Sequence, residues 1–223
     1  MIHFSNVSKT YPHDHQALDN VSLTLKSGEM AFLTGHSGAG KSTLLKLVML
    51  IERPTSGQIM LNRQNLESLS RRQIPKLRRD VSMIFQNPHL LPDRSVFENV
   101  ALPLTITGFR HPEIKRRVSA ALDKVGLLHK EKALPVELSS GEQQRVGIAR
   151  AIVNKPKVIL ADEPTGNLDP GLSMEIIRLF EAFSAVGVTM LIATHDLALI
   201  APLNHRIITL KEGRILGGAD DDE

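Results

Sequence analysis

Gly35-His36-Ser37-Gly38-Ala39-Gly40-Lys41-Ser42 decides the fold of this 223-residue chain. The stretch matches the pattern G-x-x-x-x-G-K-[ST] in full, and both flanks agree with it. Ahead of it, Met30-Ala31-Phe32-Leu33-Thr34 is apolar enough for a strand buried on both faces. Behind it, Lys41 to Ile51 reads as a helix whose Leu44, Leu45, Leu47 and Val48 pack on a sheet. A strand that passes through a glycine loop into a helix converges backbone N–H groups and the helix dipole on one anion, and glycines let the backbone approach it. The loop therefore reads as a phosphate cradle running from Gly35 to Thr43. In it Lys41 bridges the β- and γ-phosphates of a nucleotide, and the Ser42 hydroxyl ligates Mg²⁺.

Composition bounds what surrounds this loop. At ~150 residues per domain the length predicts one large domain, and 42% hydrophobic with 23% charged residues argues for a folded globular chain. No apolar run reaches the ~18 residues that span a bilayer, and residues 1–11 lack the basic-then-apolar layout of a secretion signal, so a cytoplasmic protein is expected. With no cysteine, disulfides, thiolate metal sites and cysteine nucleophiles are excluded. The net charge is only +3. Basic residues cluster at Arg71, Arg72, Lys76, Arg78 and Arg79, and again at Lys115, Arg116 and Arg117, and either run can meet phosphate or lipid headgroups. Aromatics make up 4% of the chain, too sparse a supply of stacking partners for a nucleic-acid surface, so solvated faces are expected, and no nucleic acid. His13 and His15 flank Asp14 in a predicted loop and also read as solvated, as does the acidic run at 220–223.

Along the chain, Val21, Leu23 and Leu25 alternate with Ser22, Thr24 and Lys26 as a half-buried strand, closed by a turn at Ser27-Gly28. Short apolar runs recur at Val81 to Phe85, Val158 to Ala161, Val188 to Thr194 and Arg206 to Leu210. A helix predicted from Pro112 carries Ile114, Val118, Ala121, Leu122 and Val125 on one face and stops at Gly126. Another places Met174, Ile177, Phe180 and Phe183 on a face before Gly187. Strands alternating with helices predict an α/β fold with a mainly parallel sheet covered on both faces. Residues of about 97–153 carry no strand pattern and are expected to form an inserted helical sub-domain, with about 1–96 and 154–223 as the core.

Two further motifs carry chemistry. Val158-Ile159-Leu160-Ala161-Asp162-Glu163 is an apolar strand ending in two carboxylates. A parallel strand delivers its last residues to the edge where ligands bind, so Asp162 is a candidate Mg²⁺ ligand and Glu163 the candidate base for an attacking water. Leu138-Ser139-Ser140-Gly141-Glu142-Gln143-Gln144-Arg145-Val146 places donors and a helix amino terminus in front of those acids.

In this order the motifs resemble the ATP-binding-cassette (ABC) ATPases, whose signature sequence is usually written LSGGQ. The resemblance runs from Tyr11 to about Gly213. It implies an ABC nucleotide-binding domain with an amino-terminal antiparallel β sub-domain, ATP and Mg²⁺ as ligands, and ATP hydrolysis. Residue by residue it implies that Gln86 touches Mg²⁺ and the water, that His195 holds the γ-phosphate, and that Tyr11 stacks on adenine. Ser139, Ser140, Gly141 and Glu142 would close on the ATP of a second copy, with Asp169 crossing the interface of a head-to-tail homodimer. Two positions depart from the family pattern: Ser140 stands where a glycine is usual, and Glu142 where glutamine is. If position 140 needs φ > 0, a serine there is strained.

The motif 162–169, Gly141 to Val146, and the stretch from Leu90-Leu91-Pro92 to Leu102-Pro103-Leu104 are similar to the subgroup that serves lipoprotein release, macrolide export and cell division. Residues 30–41, 116–128 and 187–189 resemble its cell-division members most. That resemblance implies a separate integral membrane partner, contacts with cytoplasmic division-ring proteins, and a place on the cytoplasmic face of the inner membrane at the septum. The energy source of a lipoprotein-release or macrolide-type export system is the alternative, and a non-hydrolysing ATP-gated scaffold a further one.

Overall fold

The computed structural model describes residues 1–216, so the acidic run at 220–223 lies outside the described residues. Ile2–Tyr11 (β1) and His15–Leu25 (β2) form an antiparallel hairpin whose turn bends through the positive-φ residues His13 and Asp14. The expected alternation is present there, with Val21, Leu23 and Leu25 buried and Ser22 exposed. Met30–Thr34 (β3) leads through the phosphate loop into Lys41–Val48 (α1). Ser56–Leu61 (β4), Gln64–Asn65 (β5), Ile74–Asp80 (α2) and Val81–Ile84 (β6) follow. Next come Val96–Ile106 (α3), His111–Lys124 (α4) and Ser140–Ile152 (α5), with short 3-10 turns at Leu128–Lys130 and Pro135–Glu137. The chain then alternates through Val158–Asp162 (β7), Pro170–Ala185 (α6), Thr189–Ala193 (β8) and Leu197–Ile200 (α7), and ends its described part in Arg206–Lys211 (β9) and Arg214–Leu216 (β10).

Two sheets result. One is antiparallel, in the order β2-β1-β4-β5, and the other runs β10-β9-β3-β8-β7-β6, parallel throughout except for the β9–β10 hairpin. Alternation along the central strands sorts their side chains into two cores. Ala31, Leu33, Leu160 and Leu191 face α1 and the antiparallel sheet. Met30, Phe32, Ile159 and Ile192 face the helices from α3 to α6. Because β3, β6, β7 and β8 run the same way, the residues that follow each of them all reach one edge. That edge receives the phosphate loop, Gln86, Asp162-Glu163 and His195.

Between β6 and β7 the described residues hold helices and no strand. The predicted faces of α4 and α6 are the ones turned inward: Ile114, Val118, Ala121 and Leu122 are buried on α4, and Ile177 and Phe180 on α6. Sequence patterning did not isolate β4, β5, α2 or β10. β4 is interrupted near Gly57, whose φ of 85° and absent Cβ bring it against the Asn6 carbonyl, and the β1–β4 register shifts there.

Asn99 is a buried polar residue inside α3 that the hydrophobic pattern could not flag. Its side chain accepts from the Leu91 N–H at 2.8 Å and donates to the carbonyls of Leu91, Arg94 and Ser95 at 3.0–3.1 Å. It thereby ties the loop after β6 onto the start of α3. Asn99→Leu keeps the branching of the side chain but strands these groups, at an expected cost of about 2–4 kcal/mol. Urea denaturation checks this: the midpoint should fall at an unchanged slope.

Candidate functional site

The site begins with the tight packing of the phosphate loop. A Cβ at Gly35 would lie 2.2 Å from the Leu210 carbonyl oxygen of β9, and one at Gly40 would lie 2.4 Å from the Ala17 carbonyl oxygen of β2. Both residues take positive φ, 147° and 106°, so glycine answers a steric and a conformational demand at once. Between them the loop opens onto a cavity of about 660 Å³, lined by residues 36–43 together with Gln86, Asp162, Glu163 and His195. Parallel strand ends thus bring together residues that lie as far apart in sequence as His36 and His195.

Lys41 is only 7% exposed. Its ammonium donates to the carbonyls of Gly35 at 2.6 Å and His36 at 3.2 Å, and lies 3.7 Å from Glu163 Oε1. The other carboxylate oxygen of Glu163 lies 2.6 Å from His195 Nδ1. Glu163 itself holds φ = 51°, a conformation that costs a non-glycine residue free energy and is concentrated at functional sites. Next to it Asp162 turns a buried oxygen, Oδ1, on which no hydrogen-bond partner falls among the described residues. A buried carboxylate oxygen with no donor fits a cation, so the residues present suit a divalent metal beside Ser42. Gln86 reaches toward the loop after β7, with Nε2 3.5 Å from Asn167 Oδ1.

Ser139, Ser140, Gly141, Glu142 and Asp169 do not line this cavity. Ser139 caps α5 in a capping box, accepting from the Glu142 N–H at 3.3 Å while Glu142 Oε2 accepts from the Ser139 N–H at 3.0 Å. Asp169 caps α6 through the Leu172 N–H. Ser140 opens α5 without positive φ, so the conditional expectation of strain there is corrected: the chain is already helical at 140 and serine fits. At Gly141 a Cβ would meet only the Leu172 Cδ1 methyl, at 2.8 Å, the end of a side chain that can turn aside.

Tyr11 lies outside the cavity lining, half-buried, stacked on its cross-strand partner His15 with ring centroids 6.4 Å apart. His15 is exposed, as the solvated reading expects, but it opens β2 rather than lying in a loop, and it lines the cavity with Ala17. No local signal marks His15 as a site residue; only the packing of the hairpin on the loop places it there.

Sequence reasoning also missed the residues that tie α5 to the site. Gln144, nearly fully buried, donates to the Phe85 carbonyl at 3.1 Å. Arg150 donates to the carbonyls of Pro88 and His89, and burial pulls its guanidinium below the ordinary arginine value. Lys130 lies 2.5 Å from Glu142 Oε1. Together with the Ser139 N–H, that ammonium brings the Glu142 carboxyl down to about 2.

A strand, phosphate loop and helix with paired carboxylates at the same edge of the sheet, two strands away on β7, define a nucleotide-binding cassette, and comparison with known proteins agrees. The ABC transporter family model matches residues 18–166, and the chain belongs to that family. It is 60% identical over 218 residues to the cell division ATP-binding protein FtsE of Escherichia coli, covering 98% of each chain. To the FtsE of Bacillus subtilis it is 44% identical, covering 97% of this chain and 95% of that one. Among solved structures it is similar to the dimeric post-hydrolysis state of the cassette MJ0796 bound to ADP and Pi, with a TM-score of 0.90, 34% identity and full coverage of both chains.

The Lys130–Glu142–Ser139 cluster predicts a pH dependence. The folded-state carboxyl lies below its ordinary 4.5, so its contribution to stability is full above that value and is lost as pH falls through about 2. Stability curves of the wild type and Glu142→Gln, measured by urea unfolding, should differ most above pH 4.5 and converge toward pH 2. A constant difference across that range would remove the ionised carboxylate from the cap.

Proposed function

We propose that this chain is the ATP-binding and hydrolysing subunit of a cell-division complex of the FtsE type, working as a homodimer against an integral membrane partner of the FtsX type. The observation that carries the chemistry is the chain Lys41–Glu163–His195 laid along the phosphate loop. On this reading Lys41 leaves its two loop carbonyls for the terminal phosphates, and the amides of residues 36–43 cradle them. Glu163 then accepts a proton from the attacking water, while His195, held on the same carboxylate, orients it and donates toward the γ-phosphate. Ser42, Gln86 and Asp162 would hold Mg²⁺. When bound, that ion neutralises charge that develops on the phosphate oxygens. Asp162 in particular offers a buried, unpartnered oxygen.

The signature segment supports the dimer. The first amides of a helix have no intrahelical acceptor, so α5 presents donors at Ser140 and Gly141 that nothing in the cavity of the same chain uses. A second copy supplies the phosphate they suit. We infer that the unit of about 97–153 carries the stroke, because α5 is bonded at Phe85, Pro88 and His89 to the segment that begins with Gln86. Relay to division-ring proteins, and to hydrolase activation across the membrane at the septum, follows from the FtsE likeness. No helix of the described residues is long and apolar enough to cross a membrane.

Glu163→Gln is expected to bind ATP, persist as a closed dimer, and lose about 10²–10⁴-fold in steady-state turnover. Phosphate release and size-exclusion chromatography with ATP read both properties. Wild-type turnover would remove Glu163 from the role of base. Capture of this variant with ATP from native membranes should recover a division permease, whereas an export permease would keep the chemistry and overturn the biological role.

A further inference from the structure

A second groove, of about 920 Å³, lies at the amino end of β7 and β8, the opposite edge of the sheet from the phosphate loop. Four strand steps separate Val158 from Asp162, or ~13 Å, so the two sites are distinct. The walls come from α4, the end of α5, the end of α6, and the turns that lead into β7 and β8. Its lining is mostly apolar, with Ser27 and Asn62 as polar members: Ile152, Leu179, Phe183 and Val188 are only partly buried, and Val186 at the edge is 78% exposed. A continuous patch of this kind on a folded surface marks a binding site more often than chance exposure does.

The rim is cationic. Arg117 is committed to Glu113 at 2.7 Å, and Lys157 to Asp80 at 3.4 Å. Arg116, Lys124 and Lys155 are exposed at the same rim, and no ion pair is formed by them among the described residues. Lys155 is held at φ = 55°, with its N–H on the Ile152 carbonyl at 2.8 Å. Glycine would take that helix-terminating conformation without strain, so a lysine there is a costly way to place a charge. The arrangement is therefore an apolar trough with three uncommitted cations at its mouth.

We propose that this groove takes one acyl chain of an anionic phospholipid from a bilayer surface, with Arg116, Lys124 and Lys155 on the headgroup phosphate. An acyl chain carries no polar group for the trough to satisfy, whereas an extended peptide or a nucleobase would bury donors and acceptors that an apolar wall leaves unpaired. The volume suits a ligand of small-molecule size. Three cations around one mouth match a single phosphodiester, and lysine and arginine stems can lie on the apolar rim while their heads meet it.

The test uses the full chain without nucleotide, so its failure is separate from any failure of the ATPase reading. Vesicles of phosphatidylcholine alone are compared with vesicles of phosphatidylcholine and phosphatidylglycerol in equal amounts, by co-sedimentation. Wild-type protein should partition to the anionic vesicles only. The triple variant Arg116→Glu, Lys124→Glu, Lys155→Glu should lose about a hundredfold in partitioning. Arg71→Glu, Arg72→Glu, Lys76→Glu, on the other exposed basic run, should lose far less. The chain has no tryptophan, so Phe183→Trp supplies a single reporter whose fluorescence brominated acyl chains should quench. Val186→Asp, at a position exposed enough to leave folding intact, should abolish that quenching. Equal loss from both charge variants, absence of quenching, or quenching that survives Val186→Asp would each overturn the proposal.

Discussion

The phosphate loop has almost no room to be anywhere else. Gly35 is pressed on the Leu210 carbonyl of β9, Gly40 on the Ala17 carbonyl of β2, and the Ala39 carbonyl accepts the Gly213 N–H at 3.2 Å. The Gly213 carbonyl in turn accepts from the Asp19 N–H of β2 at 2.9 Å. The loop is thus the seam at which the antiparallel sheet meets the last hairpin of the parallel one. A methyl group at Gly40 would push β2 of the antiparallel sheet away from the loop, and one at Gly35 would push the loop off β9. That seam also fixes His15 and Ala17 as walls of the cavity, since the strand that clamps Gly40 carries them.

How much of this could be read in the chain depends on how local each cause is. The loop, β3 and α1 were legible because three adjacent segments had to agree with one motif. Asp162-Glu163 was legible because a parallel sheet sends every strand end to one edge, whereas His195 was marked only by the family resemblance. The placement of Tyr11 and His15 was not, because a hairpin register decides which of two stacked rings faces the cavity, and the turn through His13 and Asp14 sets that register by two positive-φ residues with no glycine to announce them. The concern over Ser140 arose from a family pattern, whereas the backbone shows an ordinary first helical turn with no positive φ at 140.

Helix α5 joins parts of the molecule that the sequence separates. At its start, Glu142 is held by Lys130 and by the Ser139 cap, so the helix terminus is fixed in direction. In its middle, Gln144 bonds the end of β6, and a Cβ on Gly147 would strike Pro88 at 2.8 Å. Near its end, Arg150 bonds the turn at Pro88 and His89. A rigid element with three attachments to the segment around Gln86 cannot move without moving that segment. Coupling between the strand edge and the helices then needs no separate device, because a packed helix transmits displacement along its whole length.

The charge balance of the cavity gives the proposed cycle its direction. A nearly buried ammonium needs partners, and Lys41 finds them in two loop carbonyls and Glu163. Glu163 needs them too, and divides its two oxygens between Lys41 and His195. Without an anion Lys41 and Glu163 therefore find their partners in the loop, in His195 and in each other, while Asp162 Oδ1 has none among the described residues. A phosphate in the loop competes for Lys41 more strongly than neutral carbonyls do, because both partners then carry a full charge. Drawing Lys41 away frees the Glu163 oxygen that it faces, while His195 keeps the other. On the proposed reading that oxygen is open to a water only once the phosphate that the water would attack is in place.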